Sequence, residues 1–81
     1  MFTVYSKPNC PNCVQAKDLL TKKGLEFKEI SLDFGQDKEE GKEYLDVATF
    51  KSQFPAVKMM PHILENDATI GGFSSLVKYL A

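Results

Sequence analysis

The periodic segments of this 81-residue chain predict an α/β fold with the element order βαβαββα. Three observations support it: a strand–helix–strand unit opens the chain, a turn joins two short strands near its end, and an apolar helical stripe follows them. A strand, a helix and a strand within about thirty residues form a βαβ unit, which requires a parallel strand pair. The length suits a single domain covering residues 1–81.

The first strand and the first helix have the clearest local signals. Residues 2–5 show the alternating side-chain pattern of a strand and are rich in β-forming residues. Pro8 and Asn9 then favour a turn, and Pro11 suits the first turn of a helix because its missing N–H is not needed there. Gly24 is a typical residue just beyond a helix end. The apolar face of this helix is formed by residues at helical spacing: Cys13, Ala16 and Leu20.

The middle of the chain predicts a second strand over residues 25–32 and a helix over residues 42–53. Asp37 and Glu40 resemble a capping box, although Gly41 weakens helix initiation there. Pro55 ends the helical segment, because the residue before a proline avoids the helical conformation.

The last third predicts two short strands and a helix. A strand begins at or after Pro61, and the Asn66-Asp67 turn returns the chain as an antiparallel partner over residues 68–70. The strongest helical pattern of the chain then follows a glycine pair, with apolar residues at positions i, i+3, i+4 and i+7: Phe73, Leu76, Val77 and Leu80.

Composition excludes several classes of function. The net charge of −1 gives no electrostatic attraction to nucleic acid or to an anionic membrane. No apolar run approaches the roughly 20 residues that span a bilayer, and the start of the chain lacks the features of a signal peptide. With only two cysteines, placed as a pair, a disulfide-stapled secreted scaffold is not expected. We therefore expect a cytoplasmic protein.

The two cysteines, Cys10 and Cys13, lie where the first strand gives way to the first helix. A thiolate at a helix N-terminus is stabilised by unpaired backbone N–H groups and by the helix dipole, and a thiol one turn further on can form a disulfide with it. Cys10 is the predicted nucleophile, because it precedes the helix and such thiols have lowered pKa values. Cys13 shares the apolar face of the helix, so we expect it to be more buried and to act as the resolving thiol.

The chain resembles the glutaredoxins from end to end. The resemblance rests on three segments in the right order and spacing: Cys10-Pro11-Asn12-Cys13, Met60-Pro61 and Ile70-Gly71-Gly72-Phe73. It implies a thioredoxin-like βαβαββα fold, with a four-stranded mixed sheet and helices on both faces. It also implies a cis peptide bond at Pro61, which would turn the backbone of Met60 toward Cys10 and offer its N–H and C=O to an extended peptide or to glutathione.

The implied function is a disulfide oxidoreductase that serves electron transport in cell redox homeostasis, with glutathione as reductant. The implied partners are disulfide-containing or glutathionylated proteins, including ribonucleotide reductase, and the protein is expected to be a monomer. Cys10 and Cys13 are the implied catalytic residues. The residues implied to bind glutathione come from three parts of the chain: Lys7, Asn12, Met60, Pro61, Gly72, Phe73 and Ser74.

Two positions depart from the pattern of many glutaredoxins. Asn12 stands where many members carry an aromatic residue, and Phe73-Ser74-Ser75 stands where many carry an Asp after the glycine pair. Ser74 could cap the last helix and bind a ligand, but without charge. These departures concern the affinity for glutathione, specifically the contact with its amino group. They leave the chemistry at sulfur unchanged.

Three other interpretations follow from the same residues. The first is a glutaredoxin-like electron donor to ribonucleotide reductase that is itself reduced by thioredoxin reductase. The second is a binding module with an inert cysteine pair, and the third is a metal or cluster carrier. We expect no metal, because Cys10, Cys13 and His62 supply at most three of the four ligands that zinc requires. His62, the only histidine, is expected at the surface or at the rim of the site.

Overall fold

The computed structural model describes all residues from 1 to 81. Its elements, in chain order, are β1 (Phe2–Ser6), α1 (Pro11–Lys22), β2 (Phe27–Asp33), β3 (Glu43–Asp46), α2 (Val47–Gln53), β4 (His62–Glu65), β5 (Ala68–Gly71) and α3 (Phe73–Leu80). None of the helices is both long enough and apolar enough to span a bilayer.

The strands form one mixed sheet in the order β3-β2-β1-β4-β5. β1 pairs in parallel with β2, as the βαβ prediction requires, and antiparallel with β4 on its other side. β4 and β5 form the predicted antiparallel pair around the Asn66-Asp67 turn. The mixed sheet confirms the predicted fold class. Because β1 lies at its centre and is paired on both sides, the loop after β1 follows a strand that is held by two neighbours.

The sheet has five strands, so the prediction of four strands was wrong by one edge strand. The predicted helix over residues 42–53 divides into β3 and the shorter helix α2. Tyr44 and Leu45 of β3 are half-buried, and the strand adds to the sheet in parallel with β2. The helix begins only after Asp46, whose carboxylate accepts a hydrogen bond from Thr49 N at 3.0 Å. The available sheet edge thus outweighed the helical pattern of residues 42–46.

A hydrophobic core lies between the sheet and the helices α1 and α3. It includes Val4 and Ile63, which face each other across β1 and β4, and Leu76 of α3, all fully buried. Ala16 and Leu20 of α1 complete it, as the helical face predicted. This core fixes the position of α1 against the sheet and therefore the position of the two cysteines at its start.

An aromatic cluster covers the opposite face of the sheet under α2. Tyr5 of β1 packs against Phe50 and Phe54, with ring centroids 5.2 and 5.4 Å away. His62, which is paired with Tyr5 across the two strands, packs into the same cluster. Helices therefore lie on both faces of the sheet, as predicted.

Candidate active site

Cys10 lies at the N-cap of α1, and its sulfur performs the capping. The Cys13 N–H donates to Cys10 Sγ at 3.1 Å, and Pro11 occupies the start of the helix. The two sulfurs are joined in a disulfide whose Cα atoms lie 5.2 Å apart, within the usual range for this bond. A negative charge on Cys10 Sγ would therefore lie at the positive end of the helix dipole, in contact with a backbone donor.

The two sulfur-bearing residues differ in their access to solvent. Cys10 retains 8% of its surface and Cys13 only 2%, so Cys13 is the more buried residue, as predicted. Cys13 belongs to the buried face of α1 together with Ala16 and Leu20. A substrate disulfide can thus approach Cys10 more readily than Cys13.

The segment before β4 passes beside Cys10. The Met60–Pro61 peptide bond is cis, which confirms that implication of the sequence. The carbonyl oxygen of Met60 lies 3.9 Å from Cys10 Sγ. The loop before β4, far away in the chain, therefore forms a wall next to Cys10 Sγ.

A groove of about 540 Å³ lies along this wall. Six of the seven residues predicted to bind glutathione line it: Asn12, Met60, Pro61, Gly72, Phe73 and Ser74. Its lining contains no acidic side chain, and Lys58 is its only lysine or arginine. The structure thus brings the predicted residues together, while their roles in binding remain predictions.

The glycine pair brings the start of α3 close to the Pro61 segment. A Cβ on Gly72 would lie 3.7 Å from Pro61 O, and a Cβ on Gly71, whose φ is +122°, would collide with Ser75. Gly72 is the N-cap of α3, and no side chain caps this helix. The prediction that Ser74 could cap the helix was therefore wrong, because the helix begins two residues earlier than that role requires.

A second cleft, of about 620 Å³, lies on the other side of the cysteines. Both Cys10 and Cys13 line it, and so does Lys7, the remaining predicted glutathione contact. Lys7 is exposed and shares the cleft with Cys10, but it is not part of the groove along Met60 and Pro61.

Glu29 of β2 lies at the charged wall of this cleft. Its Oε2 atom accepts hydrogen bonds from Ser6 Oγ and from Lys17 Nζ, both at 2.8 Å, and Lys42 Nζ lies 3.7 Å away. Burial alone would raise the pKa of Glu29, but the hydrogen bonds from Lys17 and Ser6 and the charges of Lys17 and Lys42 outweigh it. The pKa is therefore held below its usual value of 4.5, and the carboxylate is ionised at neutral pH.

His62 is buried, so its expected place at the surface was wrong, although it does line the groove along Met60 and Pro61. Only 4% of its surface is exposed, and its Nε2 has no hydrogen-bond partner. Burial lowers its pKa below the usual 6.5, which favours the neutral ring. The reason is its strand position: pairing with Tyr5 places His62 under α2, with Phe54 only 4.7 Å away between ring centroids.

Sequence reasoning missed most of the charged cleft. Ser6, Lys17, Glu29 and Lys42 come from four separate elements and loops, and no local pattern joins them. The only sequence signal was the spacing of Lys17, four residues after Cys13, which places both on neighbouring turns of one helix. No group of three or more histidine, cysteine or acidic side chains is arranged to hold a metal ion.

Known proteins share both the fold and the sequence pattern. The family model described as Glutaredoxin matches residues 2–60. A glutaredoxin from Solanum lycopersicum is 35% identical over 69 residues, which cover 85% of this chain and 58% of that protein. Among solved structures, wheat glutaredoxin has a TM-score of 0.71 and 30% identity, over 98% of this chain and 70% of that one. A buckwheat glutaredoxin–glutathione complex has a TM-score of 0.71 at 23% identity, over 98% and 66%.

The mixed sheet, its helices and the cysteine pair at the start of α1 define a thioredoxin-like redox protein fold. Within that class, the chain belongs to the glutaredoxin family. It spans little more than half the length of its tomato relative, so the match concerns this domain.

Proposed function

We propose that this protein is a glutathione-dependent thiol–disulfide oxidoreductase. The observation that carries the proposal is the placement of Cys10 Sγ at the N-cap of α1, accepting the Cys13 N–H at 3.1 Å. Such a site stabilises the thiolate relative to the thiol, and the thiolate is the attacking species in disulfide exchange.

In the dithiol route, the Cys10 thiolate attacks one sulfur of a substrate disulfide and expels the other as a thiolate, which takes a proton from water. The Cys13 thiolate then attacks Cys10 Sγ, releases the second substrate thiolate and leaves the Cys10–Cys13 disulfide. The substrate gains two electrons and the protein loses two. The 5.2 Å between the two Cα atoms supports this closure.

Glutathione would restore the dithiol in two exchanges. One molecule attacks Cys10 Sγ and frees Cys13, and a second attacks the resulting mixed disulfide and leaves as glutathione disulfide. In the monothiol route, Cys10 takes the glutathionyl group directly from a glutathionylated protein, and a second glutathione removes it. Cys10 alone performs the exchange in that route.

The groove beside Met60 supports glutathione as the co-substrate. Its backbone groups next to the cis bond can pair with an extended peptide, while the unpaired N–H groups at the start of α3 favour a carboxylate. We propose that Asn12, Phe73 and Ser74 line this ligand and that Lys7 attracts a carboxylate from the neighbouring cleft. The proposal places the protein in the reducing cytoplasm, acting as a monomer on disulfide-containing or glutathionylated proteins.

A second candidate is an electron donor to ribonucleotide reductase that is reduced by thioredoxin reductase. The observation that favours it is the absence of any acidic side chain from the groove lining, since the ammonium group of glutathione then has no carboxylate partner. The exposed Ser74, where many glutaredoxins carry an acidic residue, is the position concerned.

One experiment separates the two candidates. The reduction of a protein disulfide is followed by NADPH consumption, either with glutathione and glutathione reductase or with thioredoxin reductase alone. We expect turnover with glutathione, and none in a Cys10→Ser control. Turnover only with thioredoxin reductase would overturn the first proposal in favour of the second.

A further inference from the structure

The charged cleft contains a carboxylate that several donors share. Ser6 Oγ, Lys17 Nζ and Lys42 Nζ all approach the same atom, Glu29 Oε2, at 2.8, 2.8 and 3.7 Å. The Ser6 residue is 2% exposed, and the side chains of Lys17, Lys42 and Glu29 retain 27%, 28% and 21%. This is a partly buried cluster with two positive charges and one negative charge.

The cluster lies next to the buried cysteine. Lys17 follows Cys13 by one helical turn on α1, and helical side chains lean toward the preceding turn, so the stem of Lys17 extends toward Cys13. Cys13, Lys17 and Glu29 also line the same cleft, whereas Cys13 does not line the groove along Met60. Cys13 and the cluster therefore border the same cleft, and Cys10 borders it as well.

Cys13 needs such a neighbour. Cys13 is 2% exposed and shares the buried face of α1 with Ala16 and Leu20. Burial among apolar groups raises the pKa of a thiol and makes the thiol less reactive. Its position inside α1 also gives it less of the helix N-terminus than Cys10 has. A resolving thiol that titrated far above neutral pH would close the disulfide slowly, because only its thiolate attacks.

We propose that Lys17 stabilises the Cys13 thiolate in the reduced protein. Glu29 positions Lys17, and its negative charge partly offsets the effect of the Lys17 charge on Cys13. Ser6 orients the Glu29 carboxylate by donating a hydrogen bond to it. Because Lys42 adds a second positive charge, the cluster has a net positive charge. The other charged groups of the cleft are Lys7, Asp37 and Glu39, which are exposed and more strongly screened by solvent. The inference rests on the proposed role of Cys13 as the resolving thiol.

The cluster acts on one step of the exchange. Cys13 gives its proton to solvent, and the thiolate attacks Cys10 Sγ in the mixed disulfide. A bond forms between the two protein sulfurs, and the substrate sulfur leaves with the electron pair of the broken bond and takes a proton from water. Lys17 and Glu29 are positioning residues in this step, since both act through Cys13.

The test isolates Cys13 by working in a Cys10→Ser background. The pKa of the remaining thiol is measured by thiolate absorbance in the ultraviolet, with circular dichroism to confirm folding. We expect Lys17→Met to raise the pKa by about one pH unit, a tenfold loss of thiolate at a given pH below it. Glu29→Gln should lower the pKa, and Lys17→Arg should preserve it because the positive charge is kept.

The matched control is Lys22→Met, which removes the same charge from the same helix. Lys22 pairs with Asp18 at 3.0 Å, but its side chain is 74% exposed, so no change in the Cys13 pKa is expected. Equal shifts in the Lys17 and Lys22 variants would overturn the proposal, as would an unchanged pKa in folded Lys17→Met.

The outcome is distinguishable from failure of the proposed function. The thiol pKa is measured without substrate, glutathione or turnover. Turnover with an unchanged Cys13 pKa in the Lys17 variant would refute the proposed effect of Lys17 on Cys13 and leave the oxidoreductase function standing. Failure of turnover with the expected opposite shifts would refute the oxidoreductase function while supporting the electrostatic coupling.

Discussion

The backbone N–H of Cys13 points at the sulfur of Cys10 and donates to it at 3.1 Å, so the proposed nucleophile is also the cap of its own helix. This relationship joins a structural requirement to a chemical one. The helix needs an acceptor at its N-terminus, and a thiolate needs donors and positive potential.

Cys10 should therefore react as a thiolate at mildly acidic pH. We expect reduced Cys13→Ser protein to be alkylated rapidly by iodoacetamide at pH 6, with a titration midpoint well below about 8.5, the value of a free thiol. The rate is read by mass spectrometry of the modified residue. Cys10→Ser serves as the control, and labelling of Cys10 no faster than free cysteine would favour an inert cysteine pair.

Stability should depend on pH through His62. Burial holds the folded-state pKa of His62 below 6.5, so below pH 6.5 the unfolded chain binds more protons than the folded one. The contribution of His62 to stability is thus complete above pH 6.5 and is lost as the pH falls toward the lower folded-state pKa.

Denaturant unfolding of the oxidised protein between pH 7.5 and 5 measures this effect. The window stays above 4.5, the usual pKa of Glu29, so loss of that carboxylate contributes little, and its effect is the same in the wild type and in the His62 variant. We expect the free energy of unfolding to fall with pH in the wild type and to change much less in His62→Phe. A parallel loss in both proteins would contradict the assignment to His62.

A prediction about the hydrophobic core compares two neighbouring residues on α3. Leu76 is fully buried, whereas Val77 is 44% exposed. Leu76→Ala should cost about 2–5 kcal/mol of unfolding free energy, through lost burial and a cavity. Val77→Ala should change it by about 0.5 kcal/mol or less, because surface substitutions usually do. Similar losses in the two variants would place the buried face of α3 elsewhere.

Gly71→Ala should disturb the groove at the start of α3. Its φ of +122° strains any other residue, and the added Cβ would approach Ser75 Oγ to 2.8 Å. We expect a higher KM for glutathione together with a stability loss of about 1–3 kcal/mol. Gly24→Ala is the control, because its φ is +69° but no atom lies near the new Cβ. It should lose stability without affecting KM, and an unaffected KM in the Gly71 variant would argue against a ligand at this helix start.

Local patterns predicted most of the fold, and they were wrong where a long-range partner decided the outcome. Residues 42–53 carry a helical pattern, but Tyr44 and Leu45 gain burial by extending the sheet beside β2. The true helix cap is Asp46, whose signal is local but competes with the earlier capping signal at Asp37. A sheet edge that is open to a further strand is a property of the assembled fold.

The same limit applies to the site. The resemblance to the glutaredoxins, which rests on Cys10-Pro11-Asn12-Cys13, Met60-Pro61 and the glycine pair, predicted which segments meet. The Lys17–Glu29 contact, by contrast, depends on the register of β1 and β2, which places Glu29 opposite Val4 on the face that α1 covers. The burial of His62 likewise depends on its pairing with Tyr5, which no local pattern specifies.

The central claim is that Cys10 attacks disulfides and Cys13 resolves the product. The most direct measurement incubates reduced single-cysteine variants with glutathione disulfide and weighs the products by mass spectrometry. We predict that Cys13→Ser accumulates one glutathionyl group on Cys10, while Cys10→Ser forms its adduct far more slowly. Equal rates in the two variants, or no adduct on Cys10, would contradict the account.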